Sequence, residues 1–414
     1  MSTAAPVAPH GTPVADVAPS TLNRLLNMGH WLDHLAVTIF PVVVLDLAGV
    51  FGMDWNRLLP YSMGGMIAFG AFSLPAGWLG DRWSRRGMML AFFFGIGASL
   101  VLAGLANSPL QLAGALTLVG LFAAIYHPVG LAMLAMDSGN VGRTLGVNGL
   151  YGNLGIAFAA LIAGGLVWLI DWRAAFIAPG LLAIALGVLF WRLVPAEIRV
   201  GGRKSVAAIP VDRALGRRIF FILATTTVAG GLIFTATTQS MPKVFEENLG
   251  ALTGTTFGIG ALIAGVYVLA AIAQLIVGSL IDRFSLRAVF LPVALAQAPL
   301  LLLLGWASDW NLLLLAFAAM FAVFGQIPIN DAMVARYAPA EWRARAYALR
   351  YIMSFGASAT AIPMVAYLHA TGGGFTGVFI VLAIFATGSG IAALFFPGRS
   401  RLLAVPQPQP QAAE

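Results

Sequence analysis

Apolar residues in this chain fall in runs of about twenty, the length a helix needs to cross a hydrocarbon core of about 30 Å. Cutting at charge clusters and at Gly, Pro and Asn turns gives runs at 22–45, 58–79, 88–105, 110–134, 144–170, 174–194, 219–241, 257–281, 288–306, 310–334, 346–369 and 375–396. Barrel strands would alternate apolar and polar positions, and these runs do not. The pattern therefore predicts an all-α membrane protein with twelve transmembrane helices. The longest polar interruption, 195–218, is the natural boundary between a six-helix bundle at 22–194 and a second at 219–396. Residues 1–21 and 397–414, rich in Ala, Pro and Gln, read as disordered tails. The first twenty lack the basic start of a cleavable signal.

Composition narrows the class. The 414 residues are 60% hydrophobic and only 9% charged, against about 25% charged in ordinary soluble domains. Mean hydropathy is +0.89, which excludes a water-soluble globular protein. The net charge of +7 and pI near 10.1 follow from topology: with the N-terminus inside, twenty of the 23 basic residues fall in inside segments, leaving Arg57, Arg173 and Lys243 outside. That asymmetry predicts a bacterial-type inner membrane protein with both termini and the 195–218 linker cytoplasmic, and no nucleic-acid partner. The absence of cysteine excludes disulfides and thiolate metal sites.

The two halves repeat. Gly77-Trp-Leu-Gly-Asp81-Arg82-Trp-Ser-Arg85-Arg86, between runs two and three, recurs as Gly278-Ser-Leu-Ile-Asp282-Arg283-Phe-Ser-Leu-Arg287 between runs eight and nine. Pro128 and Arg143 recur as Pro328 and Arg343 at nearly the same offset. A duplicated six-helix unit is the mark of a carrier built from two similar bundles, with its substrate bound between them.

These motifs resemble the G-x-x-x-D-R-x-G-R-R signature of the major facilitator superfamily. Ser84 and Ser285 stand where that family has glycine, and Leu286 replaces a basic residue in the second copy. Asp171-Trp172-Arg173 resembles another family turn. The resemblance implies that Asp81, ringed by Arg82, Arg85 and Arg86, forms a cytoplasmic gate with its counterpart at Asp282, Arg283 and Arg287, stabilising an outward-facing state. It also implies a monomer. Gly29-His30-Trp31-Leu32-Asp33-His34, Tyr126-His127-Pro128 and Gly149-Leu-Tyr-Gly152-Asn153-Leu-Gly155 are similar to the fosmidomycin-resistance branch of efflux carriers. The arginine that drug/proton antiporters carry in run four is absent here.

Sorting the 16 acidic residues by position leaves only Asp33 and Asp331 within helices. Intramembrane charges are costly and usually face a cavity. His30, Asp33 and His34 fall on one helical face, and an aspartate beside two imidazoles suits proton handling. The resemblance puts His127 across from them. Three readings stand open for this cluster: coupling or substrate binding, satisfaction of a buried interface, or a metal site, although the spacing is no specific metal motif. Asp331, with Gln326 and Asn330 nearby, makes a second polar patch whose charge partner is expected to be Arg350, in a structural or a functional pair. The threonines of run seven could line the cavity or bond their own backbone. Gly146, Gly149, Gly152 and Gly155 are expected to pack densely, and the Trp and Phe residues to face lipid.

These readings give a secondary transporter rather than an enzyme. No hydrolase, zinc or phosphate-loop motif occurs, and no cofactor is expected. The partners are a small-molecule substrate, protons and membrane lipid. Proton-coupled efflux is expected, with Asp33 as proton acceptor; uptake by symport is the alternative.

Overall fold

The computed structural model describes residues 19–137, 141–195, 212–249, 254–338 and 343–398. The expected tails at 1–18 and 399–414 and the linker at 196–211 lie outside them. Among the described residues, twelve helices are long and apolar enough to cross a membrane: α1 (Thr21–Phe51), α2 (Trp55–Arg82), α3 (Arg85–Gly104), α4 (Pro109–Leu134), α5 (Thr144–Leu169), α6 (Ala174–Leu193), α7 (Arg213–Asn248), α8 (Thr256–Arg283), α9 (Leu286–Leu304), α10 (Asp309–Tyr337), α11 (Leu349–Thr371) and α12 (Phe375–Leu394). No strand occurs among them. Each predicted run falls on one of these helices, overrunning its ends by at most three residues. Helix α7 extends beyond its predicted run at both ends, and so carries Glu246 and Glu247 as well.

The helix pairing repeats between halves. In the first, α1 packs on α5, α2 on α4 and α3 on α6; in the second, α7 packs on α11, α8 on α10 and α9 on α12. The halves meet through α5 against α8, α2 against α11 and α1 against α7. An even number of crossings puts the start of α1 and the end of α12 on one face, called here the termini face.

Local chemistry sets the helix ends. Ser84, in the glycine position of the motif, caps α3 by accepting from Gly87 N at 2.9 Å, and Ser285 caps α9 by accepting from Ala288 N at 3.3 Å. Polar side chains at this position satisfy amides that the first turn leaves open. Pro128 lacks an amide hydrogen, and α4 widens into a π turn over Tyr126–Gly130, a distortion frequent at functional sites. Helix α1 is interrupted between Thr38 and Phe40, just before Pro41.

Two packing expectations need correction. Close approach holds at Gly152 and Gly155, where an added Cβ would meet His30, His34 and the Trp31 carbonyl, but nothing lies within 4 Å of one at Gly146 or Gly149. The phenylalanines face lipid only in part. Phe92, Phe93, Phe176, Phe190, Phe245, Phe290, Phe324, Phe379 and Phe396 are fully buried, because their volume fills gaps that smaller side chains leave between helices.

Candidate functional site

The π turn of α4 brings His127 against α1. His30, His34 and His127 converge with ring centroids 4.8, 5.1 and 5.5 Å apart. His30 Nδ1 lies 2.7 Å from the Asn148 carbonyl, which can only accept, so this nitrogen carries the hydrogen. In the neutral ring its Nε2 then accepts from His34 Nε2, 3.1 Å away. Asp33 is wholly buried with Oδ2 3.5 Å from His127 Nε2. Neither of its oxygens accepts a hydrogen bond from the described residues, an expensive position for a carboxylate.

Neutral polar residues hold this cluster in place. Tyr126 stacks on His30 at 4.8 Å and donates to the Leu26 carbonyl at 2.6 Å. Asn148 Nδ2 donates to Tyr126 Oη at 2.8 Å and to Asn27 Oδ1 at 2.9 Å. The three imidazoles place their nearest ligand atoms within 4.8 Å of one another. Directing all three at one ion would require giving up the His34 to His30 hydrogen bond.

His34 and His127 line one side of a cavity of about 190 Å³ between the halves. Gln239, Gln326, Asn330 and Arg350 line the other, and Phe69, Phe234, Tyr351 and Phe355 supply apolar walls. Gln297 donates to Gln326, Gln326 donates to Asn330, and Thr226 donates to the same Asn330 oxygen. Arg350 pairs with Asp331, as the sequence suggests. Asp331 differs from Asp33 in setting, since its side chain is 44% exposed. On α7 the threonines do both of the things expected: Thr237 bonds its own backbone, Thr227 and Thr235 line the cavity, and Thr238 does each.

The signature motifs depart from expectation. Asp81 pairs with Arg85 at 2.6 Å, whereas Arg86 donates to the carbonyls of Trp191 and Val194 and Arg82 stacks on Trp78. In the second copy Asp282 lies 3.8 Å from Arg336, Arg283 is exposed, and Arg287 donates to the carbonyls of Leu394 and Phe396. The ring of three arginines expected around Asp81 is therefore not what forms. Arg86 and Arg287 instead satisfy carbonyls left open where α6 and α12 end. Gly77 lets α2 approach Pro128, since an added Cβ would stand 3.1 Å from that ring; Gly278 has no such neighbour. Arg173 likewise reaches the carbonyls of Gly104 and Ala106.

Sequence reasoning names Tyr126 only as part of a motif, and misses Asn27 and Asn148, which carry no charge, and a bridge at the face opposite the termini. There His369 of α11 lies 2.7 Å from Asn56 Oδ1 of α2 and 3.2 Å from Glu247 of α7, with Lys243 beside Glu247. The signal available was a histidine and an acid, each at the end of an apolar run.

The sequence matches the Major Facilitator Superfamily profile over residues 26–269 and 251–413. It is 33% identical over 138 residues to the puromycin resistance protein pur8 of Streptomyces alboniger, covering 33% of this chain and 27% of that protein. It is 24% identical over 187 residues to a gallate transporter of Pseudomonas putida, covering 45% and 42%. Each match thus spans less than half of the relative's length. Crystal structures of a bacterial homolog to the human lysosomal transporter Spinster, inward-facing and either unoccupied or occupied, superpose with TM-scores of 0.72 at 14% identity, covering 93% and 92% of this chain and 97% of theirs. A twelve-helix fold repeated in two halves, a signature loop present in both, and a profile match along nearly the whole sequence together place this chain in the Major Facilitator Superfamily of membrane transporters.

Proposed function

We propose that the protein is a secondary active transporter that exports a small organic molecule across a bacterial-type inner membrane in exchange for protons. The bundles at 22–194 and 219–396 rock about the central cavity, and both termini are cytoplasmic. The observation that carries this reading is the buried Asp33, without a hydrogen-bond donor of its own, next to three imidazoles of which two line that cavity. Such a carboxylate is suited to take and release a proton as the cavity exchanges one face for the other. His30, His34 and His127 would relay it. Gln326, Asn330, Asp331 and Arg350 would meet the substrate from the second half.

The contacts between halves support an inward-facing state. Toward the face opposite the termini, a Cβ on Gly164 of α5 would stand 2.5 Å from the Thr256 carbonyl of α8, and His369 ties α11 to α2 and α7. Toward the termini face, Asp81 and Asp282 pair within their own halves. The inside bias of basic residues supports a cytoplasmic side for that face. In the outward-facing state the two motif loops would approach and act as the cytoplasmic gate.

Efflux accords with the branch resemblance and the puromycin-resistance match. Uptake by symport is the second reading, favoured by the match to a gallate transporter. Proteoliposomes under an imposed pH gradient, tested with puromycin, gallate and fosmidomycin in the presence of a chelator, separate them by the direction of flux. Asp33→Asn should abolish gradient-driven movement; equal flux in the variant and wild type would contradict the assignment.

A further inference from the structure

A second cavity, of about 810 Å³, opens at the termini face between the start of α7, the end of α10 and the start of α11. Its wall is apolar, with Phe220, Leu223, Met333 and Val334 among the lining residues, and Arg213 and Arg217 stand at its rim. These arginines are four residues apart and so share one face of α7. Both are exposed, and neither has a hydrogen-bond or ion-pair partner among the described residues. Their neighbours are engaged elsewhere: Arg218 donates to the Phe395 carbonyl and Arg336 to the Ile281 carbonyl while facing Asp282. The acid at the rim, Asp212, is turned to its own helix, accepting from Leu215 N at 2.7 Å.

From Arg213 to Leu223 the groove follows ten residues of helix, about 15 Å at about 1.5 Å per residue. That is half of a hydrocarbon core of about 30 Å, the depth of one leaflet. The arginines take the first turn of that path, and beyond Arg217 the lining residues to Leu223, over about 9 Å, are apolar. A slot that is cationic at the membrane surface and apolar into the leaflet therefore matches a lipid with an anionic head in charge and in the order of head and chain. We propose that this groove binds a single anionic phospholipid, its phosphate between Arg213 and Arg217 and an acyl chain against Phe220, Leu223 and Met333. Basic pockets between membrane helices hold acidic headgroups by the same chemistry. The site is separate from the central cavity and does not depend on what is transported. Its leaflet is the cytoplasmic one on the orientation proposed above.

Native mass spectrometry of the full chain in detergent tests this, with phosphatidylglycerol and phosphatidylcholine of identical chains as probes and glycerol phosphate as the headgroup alone. The wild type should retain one phosphatidylglycerol with a preference over phosphatidylcholine of about 25-fold, the factor expected from two cations near a charged surface. Arg213→Gln with Arg217→Gln should erase that preference. Arg192→Gln, an exposed cation at the same face, should leave it intact. Glycerol phosphate should not compete, because the groove contributes the rest of the binding. Equal retention of the two lipids by wild type, an undiminished preference in the double variant, or full competition by glycerol phosphate would each overturn the proposal. All three substitutions lie on exposed positions, so a change in binding reads the site rather than the fold.

Discussion

Tyr126 joins three parts of the first half: its ring lies on His30, and its hydroxyl donates to the Leu26 carbonyl and accepts from Asn148. Tyr126→Phe keeps the stack and leaves Asn148 without that acceptor in a buried site. Loss of the two hydrogen bonds should lower stability by about 1–3 kcal/mol, measured as the free energy of unfolding in mild detergent; an unchanged value would mean that the hydroxyl does not hold α1, α4 and α5 together. The grouping of His30, Asp33 and His34 is legible in the sequence because helical spacing puts them on one face. The Asp331 and Arg350 pair is legible because charges within the apolar runs are few and seek each other. The roles of Tyr126, Asn27 and Asn148 are not, since sorting by charge passes over neutral side chains, and their meeting depends on the π turn and on helix contacts 100 residues or more apart.

Helix ends explain what the signature motifs do in this chain. Serine replaces glycine in both copies, and each serine caps the helix that follows. Ser84→Ala and Ser285→Ala should each cost about 1 kcal/mol, whereas glycine at the same positions should cost only a few tenths. Thermal unfolding of the four single variants checks this ranking, and alanine tolerated as well as glycine would contradict it. Closeness in sequence predicts that Arg82, Arg85 and Arg86 ring Asp81. Their separation follows from geometry: Arg86 and Arg287 face the last carbonyls of α6 and α12, a demand that the motif does not display. The repeat itself was legible, and it extends to these two arginines, which bond equivalent helix ends in each half.

Across the whole molecule, the number of spans and their division into similar halves follow from run length and charge placement, because lipid leaves the backbone only helices or closed barrels and these runs do not alternate as barrel strands do. What joins the halves was not legible. Asn56 and His369 are 313 residues apart, and Asn153 of α5 meets Gln274 of α8 at 3.1 Å, pairings between distant segments that no local pattern encodes. The His369 bridge and the close approach of Gly164 to Thr256 close the face opposite the termini, so opening that face requires both to part while the termini face closes. The chain contains no cysteine, so spin labels can be placed without altering a native thiol. The most direct test of proton-driven rocking is the distance between labels at Trp83→Cys and Phe284→Cys, exposed positions in the two motif loops, measured by double electron–electron resonance as pH is varied. Wild type should shift between a long and a short distance as protons bind, and Asp33→Asn should hold a single distribution; a wild-type distance indifferent to pH, or an Asp33→Asn protein that responds equally, would contradict the account.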